Sequence, residues 1–411
     1  MAAPPREGSI QRSVGVIEFI GILLAFILIF LLTAKRVNLG PTLLLASLIL
    51  GLTSGLNLRG FLEVARLTVT DYTTYELLFS IGLISILGNC LKETGLMVEL
   101  IENLKGYFSS RFLIALIPAL FGLLPMPGGA LMSAPFNERE VNRLGLRPEE
   151  KTFVNLWFRH VWFFASPISS STILISRLVG VNIYRFLLSV LPLYFLLAFV
   201  GYLFSIRKIR ENPPEEKHGS SISAIIKGFL PIILAILLNI LGVPLPIAIL
   251  AGVLVVLSMG GLGFRRSIAA IWRGVPWGIL LALVGIMFFR YTIKEAGSVT
   301  LLFMGLREAG VPVLVLATVF PFLMGLISGA PSSGIGIGVP LVLPLFSEPS
   351  LTVLGLIYFS IVTGYLLSPL HLCLVLTNAY YKSDLGKVYR ILAPSILTLY
   401  ATGLLYFLPR L

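Results

Sequence analysis

Twelve apolar stretches follow one another along the chain, over residues 15–33, 40–56, 73–90, 111–135, 153–178, 186–206, 224–242, 246–262, 275–291, 312–346, 352–378 and 391–408. Most approach or exceed the roughly 20 residues that a helix needs to cross the hydrocarbon of a bilayer. The polar stretches between them are short, and the longest, roughly 207–221, is linker-sized. Only helices or closed barrels satisfy their backbone groups in lipid, and runs of this length predict helices. The pattern therefore predicts an all-α polytopic membrane protein without a separate soluble domain. Lys35–Arg36 follow the first stretch where a signal peptide would carry a small-residue cleavage site, so 15–32 is expected to stay as the first membrane helix.

Four of the stretches are interrupted. Residues 111–135 contain GLLPMPGGALMSAP, with Pro127, Gly128 and Gly129 at its centre, and 312–346 contain Pro331–Ser332–Ser333–Gly334. Residues 153–178 and 352–378 each carry a Ser-Pro step, Ser166–Pro167 and Ser368–Pro369. Proline removes a backbone donor and glycine loosens the chain, so each is a candidate break at membrane depth.

The interruptions come in pairs, which points to a duplication. Lys92–Glu93–Thr94–Gly95 returns as Lys294–Glu295–Ala296–Gly297, Ser166–Pro167 as Ser368–Pro369, Pro192 as Pro394 and Gly201 as Gly403, all at an offset of 202 residues. Pro118 and Gly122 return as Pro321 and Gly325 at 203. The chain then divides into a first repeat over 1–210, a linker over 211–222 and a second repeat over 223–411. If 111–135 and 312–346 are re-entrant hairpins that enter and leave on one face, each repeat has five crossings. An odd number inserts the second copy upside down, as in many secondary transporters. The expectation is about ten transmembrane helices, two re-entrant hairpins and two discontinuous helices in two inverted repeats.

Charge tests that count. The loops at 34–39, 91–111, 136–152, 207–222, 263–273 and 380–390 fall on one side and hold 19 Lys/Arg, against 9 in the opposite loops and termini. Positive loops stay inside, which places the first set in the cytoplasm and both termini outside a cell membrane. The net charge of +12 then reflects orientation and not nucleic-acid binding. Composition agrees, with 57% hydrophobic residues, 12% charged and a mean hydropathy of +0.96. Cys90 and Cys373 both lie in apolar stretches and suggest neither a disulfide framework nor a metal cluster.

Irregular backbone is tolerated in a membrane where protein or a water-filled cavity covers it. Four breaks meeting near a pseudo-two-fold axis would aim helix N-termini at one spot and free carbonyls and hydroxyls for a cation. The candidate solute and ion site is Pro127, Gly128, Gly129, Ser166, Pro167, Ser169, Ser170, Ser332, Ser333, Ser368, Pro369 and His371. The bland alternative for any single break is close helix packing, and for the hydroxyls of Ser169–Thr172 a bond back to the preceding turn. Arg159 can contact an anion or reach to the cytoplasmic face, with the second favoured, and Arg290 is expected to cap or reach outward. No Asp or Glu falls near the centre of a span, so coupling is expected through Na+ held by carbonyls and hydroxyls, or through H+ on His371.

Two hairpins, two broken helices and an inverted five-crossing repeat resemble the ion transporter superfamily, which includes sodium–dicarboxylate symporters. The stretches LLPMPGGALMSAP and NLWFRHVWFF are similar to a prokaryotic group within it, the domain of unknown function 401 family. The resemblance implies a homodimer with a scaffold and a transport domain that moves past it as an elevator; the scaffold is expected to come mainly from 15–56 and 224–262, whose spans lack these breaks. The superfamily's symporters carry Ser-Asn-Thr at the hairpin tips, whereas these tips read Pro-Gly-Gly and Pro-Ser-Ser-Gly. The function expected is secondary transport of a small solute, an organic anion, with no enzymatic activity and no resident cofactor. A passive channel is one alternative, and an intramembrane hydrolase using Ser332 or Ser333 with His371 is another.

Overall fold

The computed structural model describes residues 15–123, 129–210, 221–346 and 349–410, leaving aside the side chains of 129–131 and Thr300. All regular structure among them is helical. Ten α-helices fill the first half: α1 Val16–Ala34, α2 Leu39–Thr53, α3 Leu58–Thr70, α4 Tyr72–Glu93, α5 Leu96–Lys105, α6 Ser110–Leu123, α7 Gly129–Arg143, α8 Pro148–Arg159, α9 Ser170–Val179 and α10 Ile183–Phe204. Ten fill the second: α11 Ile222–Ile240, α12 Leu245–Met259, α13 Phe264–Gly274, α14 Trp277–Ala296, α15 Ser298–Glu308, α16 Val313–Ser328, α17 Pro331–Val342, α18 Leu351–Leu367, α19 Leu372–Tyr381 and α20 Leu385–Phe407. Seven described helical segments are long and apolar enough to cross a membrane, among them α1, α4, α11 and α14. Their outward residues, such as Leu23, Phe30, Leu237 and Leu281, are exposed leucines and phenylalanines that suit lipid and not water.

Capping fixes many of the ends. The side chains of Asn38, Asn57, Asp71, Asn182 and Asp384 each accept a bond from a free N–H in the turn that follows. Gly180 and Gly297 close their helices in the left-handed conformation, at φ 76° and 68°.

Several boundaries differ from the sequence reading. The apolar stretch 111–135 becomes α6 and α7, and α7 runs on to Arg143 through residues whose polarity reads as loop. Some of its polar residues face inward: Ser133, Asn137 and Glu140 are buried, and Asn137 donates to the Ile114 carbonyl of α6 at 3.0 Å. In the second pair the turn falls at Gly329–Ala330, two residues before the expected tip. Gly329 adopts φ 59°, and Pro331 has the fixed φ suited to a first helical position, so it opens α17 and does not sit at the turn. The helices α3, α5, α13 and α15 occupy segments that read as loops. In α3 and α13, apolar stripes (Leu58, Leu62, Val69; Phe264, Ile268, Trp272) stand exposed beside Arg59, Arg66, Arg265 and Arg266, the pattern of helices lying in the membrane interface.

The two halves pack by exchange. Helix α2 lies on α14 and α12 on α4; α1 touches α15 and α11 touches α5; α7 meets α19 and α17 meets α9. Close approaches also recur. Gly122 lies against the Arg159 carbonyl and Gly325 against that of Ile361, while Gly201 packs on Trp157 and Gly403 on Phe359. Helix α18 is the centre of the molecule, buried on every side from Val353 to Leu366.

A side chain at Gly325 would collide with rigid backbone, because the Tyr365 amide nitrogen also lies 2.9 Å from its would-be Cβ. Gly325→Val is expected to cost about 3 kcal/mol and lower Tm by several degrees or abolish the monodisperse peak in detergent. Gly305→Ala, at an open helical position, serves as the neutral control.

Candidate functional site

The two Ser-Pro segments are interrupted in matching ways. Helix α8 ends at Arg159, a 3-10 turn covers Val161–Phe164, and α9 begins at Ser170. Helix α18 ends at Leu367 and α19 begins at Leu372. Pro369 holds Ser368 extended, at φ −63° and ψ 129°, which ends the helix before it. Ser169 N–H then reaches the Ser166 carbonyl, and His371 N–H reaches that of Ser368 at 3.2 Å, so one turn serves both breaks.

These breaks open onto a cavity of about 820 Å³. Arg159 and His160 line it from the end of α8, Ser169 and Ser170 from the start of α9, and Ala330, Pro331, Ser332 and Ser333 from the start of α17. Gly122 and Leu123 end α6 in its wall, Tyr365 comes from α18, and Leu372 and Cys373 from α19. The opposite wall is Asn38, Leu39 and residues 275–279 with Ala282, Leu283 and Ile286. Asn38 donates to the Gly278 carbonyl at 2.9 Å and ties that wall together. The N-terminal ends of α9, α17 and α19 therefore share one space, where their dipoles favour negative charge.

Not every candidate residue lines this space. Ser169, Ser170, Ser332 and Ser333 do. Ser166 is buried behind it, without a partner for its hydroxyl. Ser368 is also buried, and its hydroxyl accepts from Leu370 N–H at 3.2 Å. Pro167 and Pro369 shape the breaks and are not lining residues. Thr172 bonds back to the carbonyls of Ser166 and Ser169 at 2.7 and 2.9 Å, the structural alternative for that hydroxyl. Gly129 opens α7, while Pro127 and Gly128 lie outside the described residues. Arg290 caps α9 by donating to the Leu178 carbonyl at 3.1 Å.

The sequence underweighted Arg159. Its side chain is 7% exposed, lines the cavity, and has one guanidinium nitrogen, Nη1, with no hydrogen-bond partner. No carboxylate stands within ion-pair distance of it among the described residues. A long side chain at a helix end reads as one that reaches to the interface, and only the break at residue 160 turns it inward.

Tyr365 was missed altogether. Its hydroxyl lies 2.6 Å from His371 Nε2 and 3.1 Å from His160 Nε2. His160 Nδ1 stands 2.6 Å from the Leu156 carbonyl, which can only accept, so that nitrogen carries the proton. The Tyr365 hydroxyl has one proton and so can donate to only one of the two Nε2 atoms, which joins His371, Tyr365 and His160 in one hydrogen-bonded chain. His371 Nδ1 is buried on the side of the Leu366 carbonyl, without a hydrogen bond of normal geometry. His371 thus reaches the cavity through Tyr365.

A second polar cluster braces the site from behind. Asn155 of α8 bonds Ser133 of α7 at 2.8 Å and Thr377 of α19 at 3.1 Å, and Thr152 meets Ser383 at 2.8 Å. These bonds tie the first helix pair to both broken helices.

The family model described as Protein of unknown function (DUF401) matches residues 19–408. The chain belongs to this family. The match covers both helix pairs, both breaks and the cavity between them, so the site is built wholly from the family's own segment. No curated protein matches the chain.

Proposed function

We propose that the protein is a secondary transporter of a small organic anion, working by alternating access. The observation that carries this reading is Arg159, a buried cation with one unpartnered nitrogen, which lines a cavity where three helix N-termini also end. Burying an unpaired charge is costly, and the arrangement makes sense where an anion completes it. The cavity size suits a metabolite, since binding pockets run to several hundred Å³.

In this reading the two halves are inverted repeats with ten spans in all, and the pairs α6/α7 and α16/α17 are re-entrant hairpins. The matching helix order, the exchanged packing and the recurrent glycine contacts support it. The scaffold would come mainly from 15–56 and 224–262, with exposed apolar faces that suit lipid or a second subunit, and the moving unit would carry the hairpins and broken helices. Both termini would lie outside the cell membrane. Coupling would come from Na+ at the hydroxyl-lined breaks or from H+ on the His371–Tyr365–His160 chain.

The hydrolase alternative has less support. His371 Nε2 is engaged by Tyr365, and no bond joins His371 to Ser332 or Ser333 among the described residues. Uptake of labelled carboxylates into proteoliposomes, with and without Na+ and pH gradients, tests the proposal. Accumulation against a gradient is the expected result. Equilibration without accumulation would indicate a channel, and no uptake across a broad carboxylate panel would remove the anion reading.

A further inference from the structure

We propose that His160, His371 and Cys373 form a binding site for a thiophilic transition-metal ion, of which Zn2+ is the type, at the inner wall of the cavity. Their donor atoms all lie within 4.8 Å of one another. Donors around a tetrahedral zinc stand about 3.3–3.8 Å apart, given bonds of ~2.0–2.3 Å. Side-chain movements of roughly 1 Å close that gap. The three residues come from the ends of α8 and α19, at the two breaks, and no sequence spacing advertises them.

A second observation points the same way. The proton of His160 is fixed on Nδ1 by the Leu156 carbonyl, which aims the Nε2 lone pair into the cluster. Metal-bound imidazoles are oriented by this kind of bond from the other ring nitrogen to a backbone carbonyl. The Tyr365 hydroxyl, between the two Nε2 atoms, offers an oxygen as a fourth donor. Both histidines are nearly fully buried, while Cys373 lines the cavity and gives an ion its way in.

The protons balance. Cys373 binds as thiolate and releases its proton to water. His371 ligates through Nε2 and carries its ring proton on Nδ1, on the side of the Leu366 carbonyl. The nearby positive charge of Arg159 opposes any cation, so only an ion that bonds thiolate strongly is held. Mg2+ and Ca2+, which need oxygen ligands, are excluded. The inference does not rest on the transport reading.

Titration of the purified full chain in detergent with Co2+ tests it. One equivalent is expected to give a near-ultraviolet thiolate-to-cobalt band that Zn2+ displaces and Mg2+ does not. The band should vanish in Cys373→Ser, weaken at least tenfold in apparent affinity in His160→Gln and in His371→Gln, and persist in Cys90→Ser. A wild-type measurement guards against variants that fail to fold: Zn2+ should slow alkylation of Cys373 in the native protein, mapped by mass. No saturable band, a band indifferent to both histidine substitutions, or alkylation unchanged by Zn2+ would overturn the site.

Discussion

Replacing Arg159 with methionine is expected to reduce anion uptake by more than about 100-fold and to leave the protein at least as stable as the wild type. The two halves of this expectation come from one observation. The guanidinium is buried with an unpartnered nitrogen, and it finds no carboxylate among the described residues. A buried charge without a partner costs stability, and an apolar side chain of similar length removes that cost. With substrate bound, the same group would form a charge-assisted pair in a cavity shielded from water. Removing one partner of such a pair typically costs 2–5 kcal/mol, or roughly 30-fold to several thousand-fold in affinity. A purely structural arginine behaves in the opposite way, lowering Tm when removed. Uptake and Tm measured on one preparation of Arg159→Met therefore separate the roles. A fall in Tm with uptake preserved would make Arg159 a packing residue, and the organic-anion reading would lose its main support. Arg159→Lys should restore only part of the transport, because an ammonium is a point charge where a guanidinium presents a planar fork.

How much of this was legible in the sequence depended on how local the signal was. Helices such as α1, α2, α10 and α11 are continuous apolar runs, and their ends fall within about three residues of the expected boundaries. The interruptions were legible because proline and glycine act on their own backbone, whatever surrounds them. Helices α3 and α13 were not, since their apolar stripes are diluted by arginines when hydropathy is averaged along the chain. The polar end of α7 misled for a related reason: Asn137 and Glu140 look solvated, yet both are buried in the fold. At the site, Ser169, Ser170, Ser332 and Ser333 stood out because they flank breaks. Tyr365 did not, because it sits in an unbroken apolar helix and its contacts are made across the break to His371 and to His160, 205 residues away. Arg159 was visible, but the direction of its side chain depends on where α8 stops, beside α6, where Gly122 lies against the Arg159 carbonyl.

The remaining large effect concerns motion. If α6/α7 and α16/α17 are hairpins entered from opposite faces, the cavity between them should open to one side at a time. Single cysteines at Gly129 and Ser332, in a background of Cys90→Ser and Cys373→Ser, would be labelled with an impermeant thiol reagent from each side. The expected result is reciprocal: a condition that exposes position 332 to the outside should protect position 129 from the inside. A transported substrate should shift both rates severalfold in opposite directions. A cysteine at Arg143, in the Lys/Arg-rich loop region of 136–152, supplies the orientation marker and should react from the cytoplasm in every state. The reasoning is one of linkage. A substrate that binds between two hairpins stabilises the closed states in which both contact it, so it must change the population of each open state. Bulk at the first turn supplies a second arm: Gly129→Val, which crowds the start of α7, should abolish uptake while the protein stays monodisperse. Labelling of both tips at fixed rates, indifferent to any substrate that the protein transports, would rule out alternating access and leave a static pore. Labelling of position 143 from outside in intact cells would reverse the topology and, with it, the assignment of which hairpin faces which side.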